Sequence, residues 1–305
     1  MTGRSDAWAA VAEASEGAGR NGGALALGSD SHKERFCRML LDTSEAWEAA
    51  RIAWPALDDE AQARLTGLPI WDIAVATEGK ASKYVLSYAA TVGDPLLGEA
   101  LRRNGFEEAR HGKLLSAMVA RYGIALGAVA PCAEPPDPEW AFMVTGYSEC
   151  IDSFFAFGLF AAARQSGFFP IELVQVFEPV MQEECRHILF FVNWAAWHRR
   201  NLPWWPRARF AAKTLGVWLF LIWERIKTAR DIGGGSNFTA IGHEPIGVDL
   251  GPAQLLQLCL SENERRFIGY DDALPRPALV PRLARLACRL LLMTQRRAAP
   301  QPSPG

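Results

Sequence analysis

Histidine is scarce in this 305-residue chain, with five copies, and cysteine is scarce and dispersed. The six cysteines, Cys37, Cys132, Cys150, Cys185, Cys259 and Cys288, form no Cys-x-x-Cys pair. That spacing excludes an iron site or electron-transfer module built on paired thiolates, and no flavin signature replaces it. Unpaired thiols and the lack of an opening signal segment lead us to expect a reducing, cytoplasmic setting. Net charge is also nearly absent, at −2, which argues against nucleic acid as the main partner. Long hydrophobic runs are missing too. The apolar run from Leu215 to Trp223 is far short of the roughly 20 residues that span a bilayer. What remains is a chain of 50% hydrophobic content, able to bury a substantial core as one domain with extensions.

Two of the few histidines sit in a repeat. Glu107-Glu108-Ala109-Arg110-His111 returns as Glu183-Glu184-Cys185-Arg186-His187, each copy placing a carboxylate and an imidazole three residues apart. On a helix that offset puts both side chains on one face, where they can grip one metal ion. With 21 Glu and five His, random placement yields roughly 0.34 Glu-x-x-His pairs in the whole chain. Such a pair on each of two helices, joined by one Glu from each of two others, is the ligand set of two-metal carboxylate bundles.

Prolines and turn residues mark four long predicted helices: Pro69 to Thr91, Pro95 to Tyr122, Pro138 to Ser166 and Ile171 to Asn201. The first carries Glu78 among Ala74, Val75, Ala81 and Ser82, and the third carries Glu149 in a mostly uncharged run. A carboxylate on an apolar face is costly to bury without a partner, and a metal supplies one. Depth agrees. Glu78 lies 13 residues before Thr91 and Glu108 lies 13 after Pro95, whereas Glu149 and Glu184 differ by about one turn. Residues 124 to 137, with Pro131, Pro135 and Pro136, favour extended backbone, long enough at about 46 to 50 Å to cross the bundle.

Glu78, Glu108, His111, Glu149, Glu184 and His187 together resemble the ferritin-like di-iron carboxylate superfamily, over roughly residues 65 to 200. The acid-Glu-x-Arg-His form of both repeats is more similar to the oxygen-activating branch, which includes bacterial multicomponent monooxygenases, acyl-carrier-protein desaturases and the aerobic cyclase of chlorophyll synthesis, than to storage ferritins. Phe177-Glu178 and Gln182 extend the likeness to the cyclase. The resemblance implies an all-α, ferritin-like four-helix bundle with one long crossover and added N- and C-terminal helices. It implies two iron ions, with Mn/Fe as the variant, in which Glu108 and Glu184 bridge, Glu78 and His111 complete one metal, and Glu149 and His187 the other. Glu107 and Glu183 would then orient the imidazoles with Arg110 and Arg186 in the same network; the bland alternative is a solvated face of ordinary ion pairs. Val180 stands where N-oxygenases of the superfamily carry an extra His. The expected activity is an oxidase or oxygenase that uses dioxygen, an apolar or lipid-like substrate and an external reductase or ferredoxin. The rivals are a ferroxidase or peroxide-scavenging protein, and a metal-stabilised scaffold.

Outside the bundle, residues 1–30 read as a disordered tail and Ser31 to Ala53 as a helix beside the bundle, giving a 31–205 unit. Residues 206–270 read as accessory helices (Arg207 to Arg230, Pro252 to Phe267) around a Gly-rich loop, 233–251. His243-Glu244 in that loop and His198 near a helix end read as solvated or end-capping groups. Phe191 and Trp194 line up beyond His187, either as core or as walls of an apolar pocket. In 271–305, the stretch Leu279 to Arg297 holds five Arg and no acid beside a leucine stripe. That composition fits a peripheral helix on the anionic inner face of a membrane; the rival has the leucines packed on the bundle.

Overall fold

The structure is a computed structural model that describes residues 25–68, 70–127, 132–231 and 250–298, and among these every regular element is helical. In chain order the helices are α1 (Asp30–Asp42), α2 (Asp59–Thr66), α3 (Trp71–Ala89), α4 (Pro95–Tyr122) and α5 (Pro138–Ser166). They continue with α6 (Ile171–Val176), α7 (Glu178–Asn201), α8 (Trp204–Asp231), α9 (Pro252–Arg266) and α10 (Leu279–Ala298). The two longest bundle helices share one start and one stop. Asp94 and Asp137 accept from the backbone N–H of Leu97 and Trp140, proline follows each cap, and Gly123 and Gly167 close the helices at φ 66° and 65°. Each device satisfies backbone groups that a helix end leaves orphaned.

Cross-helix contacts fix the directions. The Ser82 hydroxyl donates to the carbonyl of Gly105, and a side chain at Gly112 would meet Glu78, so α3 and α4 run antiparallel. Tyr88 stacks on Phe142 while Glu78 and Glu149 both reach Glu108, and Phe142 and Gly146 meet Trp194 and Phe191, so α5 is antiparallel to both α3 and α7. It follows that α4 and α5 run the same way, and their connection must travel the length of the bundle. It does so along α3: the N–H of Gly127 donates to Asp72, Lys83 to the carbonyl of Cys132, and Ser87 to Glu134. The expected crossover is therefore observed, with residues 128–131 lying outside the described set.

Three boundaries differ from expectation. The helix expected over Ser31 to Ala53 stops at Asp42, and Thr43 to Glu48 turns away to serve the buried network described below. The fourth helix breaks at Phe177 into α6 and α7, because Pro179 has no N–H to continue the ladder. The short helix α2, capped by Asp58, was not anticipated. Up to residue 24 the disordered tail expected over residues 1–30 lies outside the described residues, as do residues 232–249 of the Gly-rich loop with His243 and Glu244. Phe191 and Trp194 are 1% and 0% exposed and pack against Phe142, so they are core. His198 stacks on Trp194 and donates from Nε2 to Glu139.

Helix α9 lies against α5 through Gly158, where an added Cβ would sit 2.3 Å from Cys259 Sγ and 3.0 Å from the Cys259 backbone. Gly158→Ala should therefore force α9 outward and cost about 1–3 kcal/mol in chemical denaturation. Gly93→Ala, with nothing within 4 Å, should be near neutral. Equal midpoints for the two variants would contradict this close approach.

Glu139 ties three elements together, receiving His198 from α7 and Lys213 from α8 beside the start of α5. The His198 hydrogen bond, with Lys213 and against burial, holds its carboxyl down at about 2. A depressed carboxyl stabilises the fold above its ordinary value near 4.5, and that stability is lost as pH falls through about 2. After allowance for partial exposure, Glu139→Gln should cost about 1–2 kcal/mol at pH 7, and the gap to the parent should close between about pH 5 and 2 in urea titrations.

Candidate metal centre

All six residues singled out by the repeat and by depth meet at the middle of the bundle. Glu78, Glu108, His111 and Glu184 form one group, and Glu108, Glu149 and His187 form a second; within each, the donor atoms lie within 4.8 Å of one another. Glu108 belongs to both, the position expected of a bridge. Glu184, the other expected bridge, groups only with the first set here: one oxygen stands 3.3 Å from His111 Nδ1, and the other accepts from the Ser153 hydroxyl at 3.0 Å.

The outer carboxylates do orient the imidazoles, and they do so crosswise. His111 on α4 donates from Nε2 to Glu183 on α7, and His187 on α7 donates from Nε2 to Glu107 on α4, both at 2.8 Å. With Nε2 committed, each ring turns Nδ1 toward the cluster. There His111 Nδ1, His187 Nδ1, one oxygen of Glu108 and one of Glu149 are buried with no hydrogen-bond partner. His187 Nδ1 stands 2.6 Å from Glu108 Oε1, a separation at which two lone pairs repel unless a proton or cation lies against both.

Charge bookkeeping separates the two shells of carboxylates. Glu107 is bound by both Arg186 and Ser44, and Glu183 by Arg110 and by the Trp47 indole N–H at 2.8 Å. Despite its burial, bonds from His187 and Arg186 keep Glu107 far below the usual carboxylate range. The inner four glutamates have no Lys or Arg partner among the described residues. Burial raises Glu78 to about 7, and burial with the neighbouring charges of Glu108 and Glu184 pushes Glu149 well up. Burial acts against charge on the imidazoles, yet the carboxylates around them, Glu183, Glu184 and Glu78 for His111 and Glu108 and Glu107 for His187, raise both. Neutralising the cluster thus falls to protons or to cations. Four carboxylates and two neutral imidazoles whose free donor atoms face inward fit two divalent ions equally well, because the ions match the formal charge of the glutamates.

The segment Thr43 to Trp47 was the part that sequence reasoning missed. Besides Ser44 and Trp47, its backbone carbonyls accept from both motif arginines: Thr43 from Arg186 at 2.7 Å, and Glu45 and Trp47 from Arg110. Arg110 also lies 4.5 Å above the Trp47 ring. This strap seals one side of the site. On another side, a groove of about 490 Å³ between α3 and α4 is lined by Val75, Gly79, Ser82, Ala109, Gly112 and Lys113, beside Glu78. Glu78 itself keeps 21% of its side chain accessible, against 1 to 2% for His111 and Glu108.

In comparisons with known proteins, no family model, curated protein or solved structure matches this chain.

Glu107→Gln and Glu183→Gln keep the shape but remove the charge that holds each Nε2–H. Each should lower metal affinity about 10–100-fold without unfolding the protein, measured by competition with a chelator. Unchanged affinity in both variants would reduce the crosswise network to ordinary ion pairs.

Proposed function

We propose that the chain is a ferritin-like di-iron oxidase or oxygenase acting on an apolar or lipid-like organic substrate. The observation that carries the reading is the set of unpartnered donor atoms that Glu108, His111, Glu149 and His187 turn toward one another inside a sealed core. The up-down-down-up order of α3, α4, α5 and α7, with the crossover along α3, supports the ferritin-like assignment. Carboxylate-rich N/O donors suit iron or manganese over zinc or copper.

Glu78 and His111 would hold one ion and Glu149 and His187 the other, with Glu108 and Glu184 as the carboxylates they would share. Bound there, a pair of ferrous ions supplies two electrons and open positions for dioxygen. The protein's own contributions are to orient and to exclude. Glu107 and Glu183 fix which imidazole nitrogen faces the metals, and the strap with Trp47 and Arg110 keeps water from that side. The α3–α4 groove offers access beside Glu78, whose side chain is 21% accessible. No Cys-x-x-Cys pair or flavin signature occurs in the sequence, so electrons would be drawn from a second protein, a reductase or ferredoxin.

The test is to load the protein with iron, reduce it anaerobically, and follow oxygen uptake. One round of consumption should occur, followed by a stall that ends when a ferredoxin and its reductase are added. Repeated turnover on NADH alone would contradict the reading, as would continued ferrous oxidation with iron accumulating well beyond two per chain, which marks a ferroxidase.

A further inference from the structure

Helix α10 has two faces, and the structure orients them opposite to the packing arrangement considered above. Ala284 and Cys288, each 6% exposed, lie against α9 and α5, where Ala284 joins Phe154, Leu159, Leu255 and Cys259. Leu279, Leu283, Leu286, Leu290 and Met293 are 48–55% exposed and form one outward stripe. Large apolar side chains aligned on one exposed face are an interaction surface rather than scattered surface hydrophobes. The stripe is part of a folded helix, anchored by its small face, so its outward direction is set by packing.

Charge identifies the occupant. Arg282, Arg285 and Arg289 are exposed alongside the stripe, and no acidic residue occurs from Leu279 to Arg297. Arg285 reaches Glu264 on α9 at 3.0 Å, and among the described residues Arg282 and Arg289 face no acidic partner. The four-then-three spacing of the leucines would also suit a coiled-coil seam. A second copy, however, would bring its own arginine row beside the seam with no acid on either helix to answer it. An anionic lipid surface answers both features, taking the apolar ridge among its acyl chains and the arginines at its phosphates. The exposed ridge of α8, with Leu219, Ile222 and Trp223, is bordered by both Glu224 and Lys227, so charge singles out α10 and not α8. No helix among the described residues is long and apolar enough to cross a membrane, so the contact is peripheral.

We propose that α10 docks the protein on an anionic bilayer surface through the Leu283–Leu286–Leu290–Met293 stripe and its flanking arginines. The probe is flotation of the full, metal-loaded chain with vesicles of phosphatidylcholine alone or mixed with phosphatidylglycerol, at low and high salt. The chain should float with the mixed vesicles at low salt, stay behind with phosphatidylcholine alone, and be released by high salt. Leu286→Glu with Leu290→Glu should abolish flotation while leaving metal content and the thermal unfolding midpoint intact, since both side chains are about half exposed. Arg282→Gln with Arg289→Gln should lower the partition coefficient on the order of tenfold or more. Flotation of the Leu286/Leu290 variant equal to the parent overturns the proposal, as does absence of flotation with either vesicle. Self-association in sedimentation equilibrium that the same double substitution abolishes would also overturn it, by assigning the stripe to a second copy.

Discussion

Four glutamates brought together in the core of a helical bundle impose the constraint on which the rest of the structure turns. Like charges at such separations cannot all stay ionised in a dry interior unless cations share the space. The protein meets this at two levels. Its outer pair, Glu107 and Glu183, is neutralised permanently by Arg186 and Arg110. The inner four are left to protons or to metal ions, and their free donor atoms and those of two imidazoles all face one another. A bundle that leaves such groups unpaired at its centre sacrifices stability there, which metal ions bound between them would return.

The repeated motif does more than supply ligands. Because α4 and α7 run antiparallel, each copy's first glutamate reaches the histidine of the other copy, so the two helices are tied by a closed circuit of hydrogen bonds. Each arginine then extends the circuit to the Thr43 to Trp47 strap. Metal geometry, helix pairing and the path of the chain before α2 are thereby coupled. A change at Ser44 or Trp47, far from the motif in sequence, acts on the imidazoles through one carboxylate.

Much of this was readable from residue order. Prolines and turn residues marked the ligand helices, with Asp-Pro starts and glycine stops at α4 and α5, and Glu78 and Glu149 stood out as carboxylates in apolar helix interiors. Antiparallel depth then placed them beside the motif. The strap was invisible because its work is done by backbone carbonyls, one serine and one indole, which carry no periodicity and need only proximity. Likewise, the break at Phe177 is a local consequence of Pro179, hidden in the sequence because the amphipathic pattern runs on through it. The sidedness of α10 was also undecidable from its stripe, since only the packing of Ala284 and Cys288 shows which face turns inward.

The central claim is that these six side chains hold two metal ions. Anomalous diffraction at the iron edge, from crystals grown with ferrous iron and measured on both sides of the edge, addresses it directly. The account requires two peaks, one beside Glu78 and His111 and one beside Glu149 and His187, with Glu108 between them. A single peak, or iron located away from the two imidazole Nδ1 atoms, would contradict it.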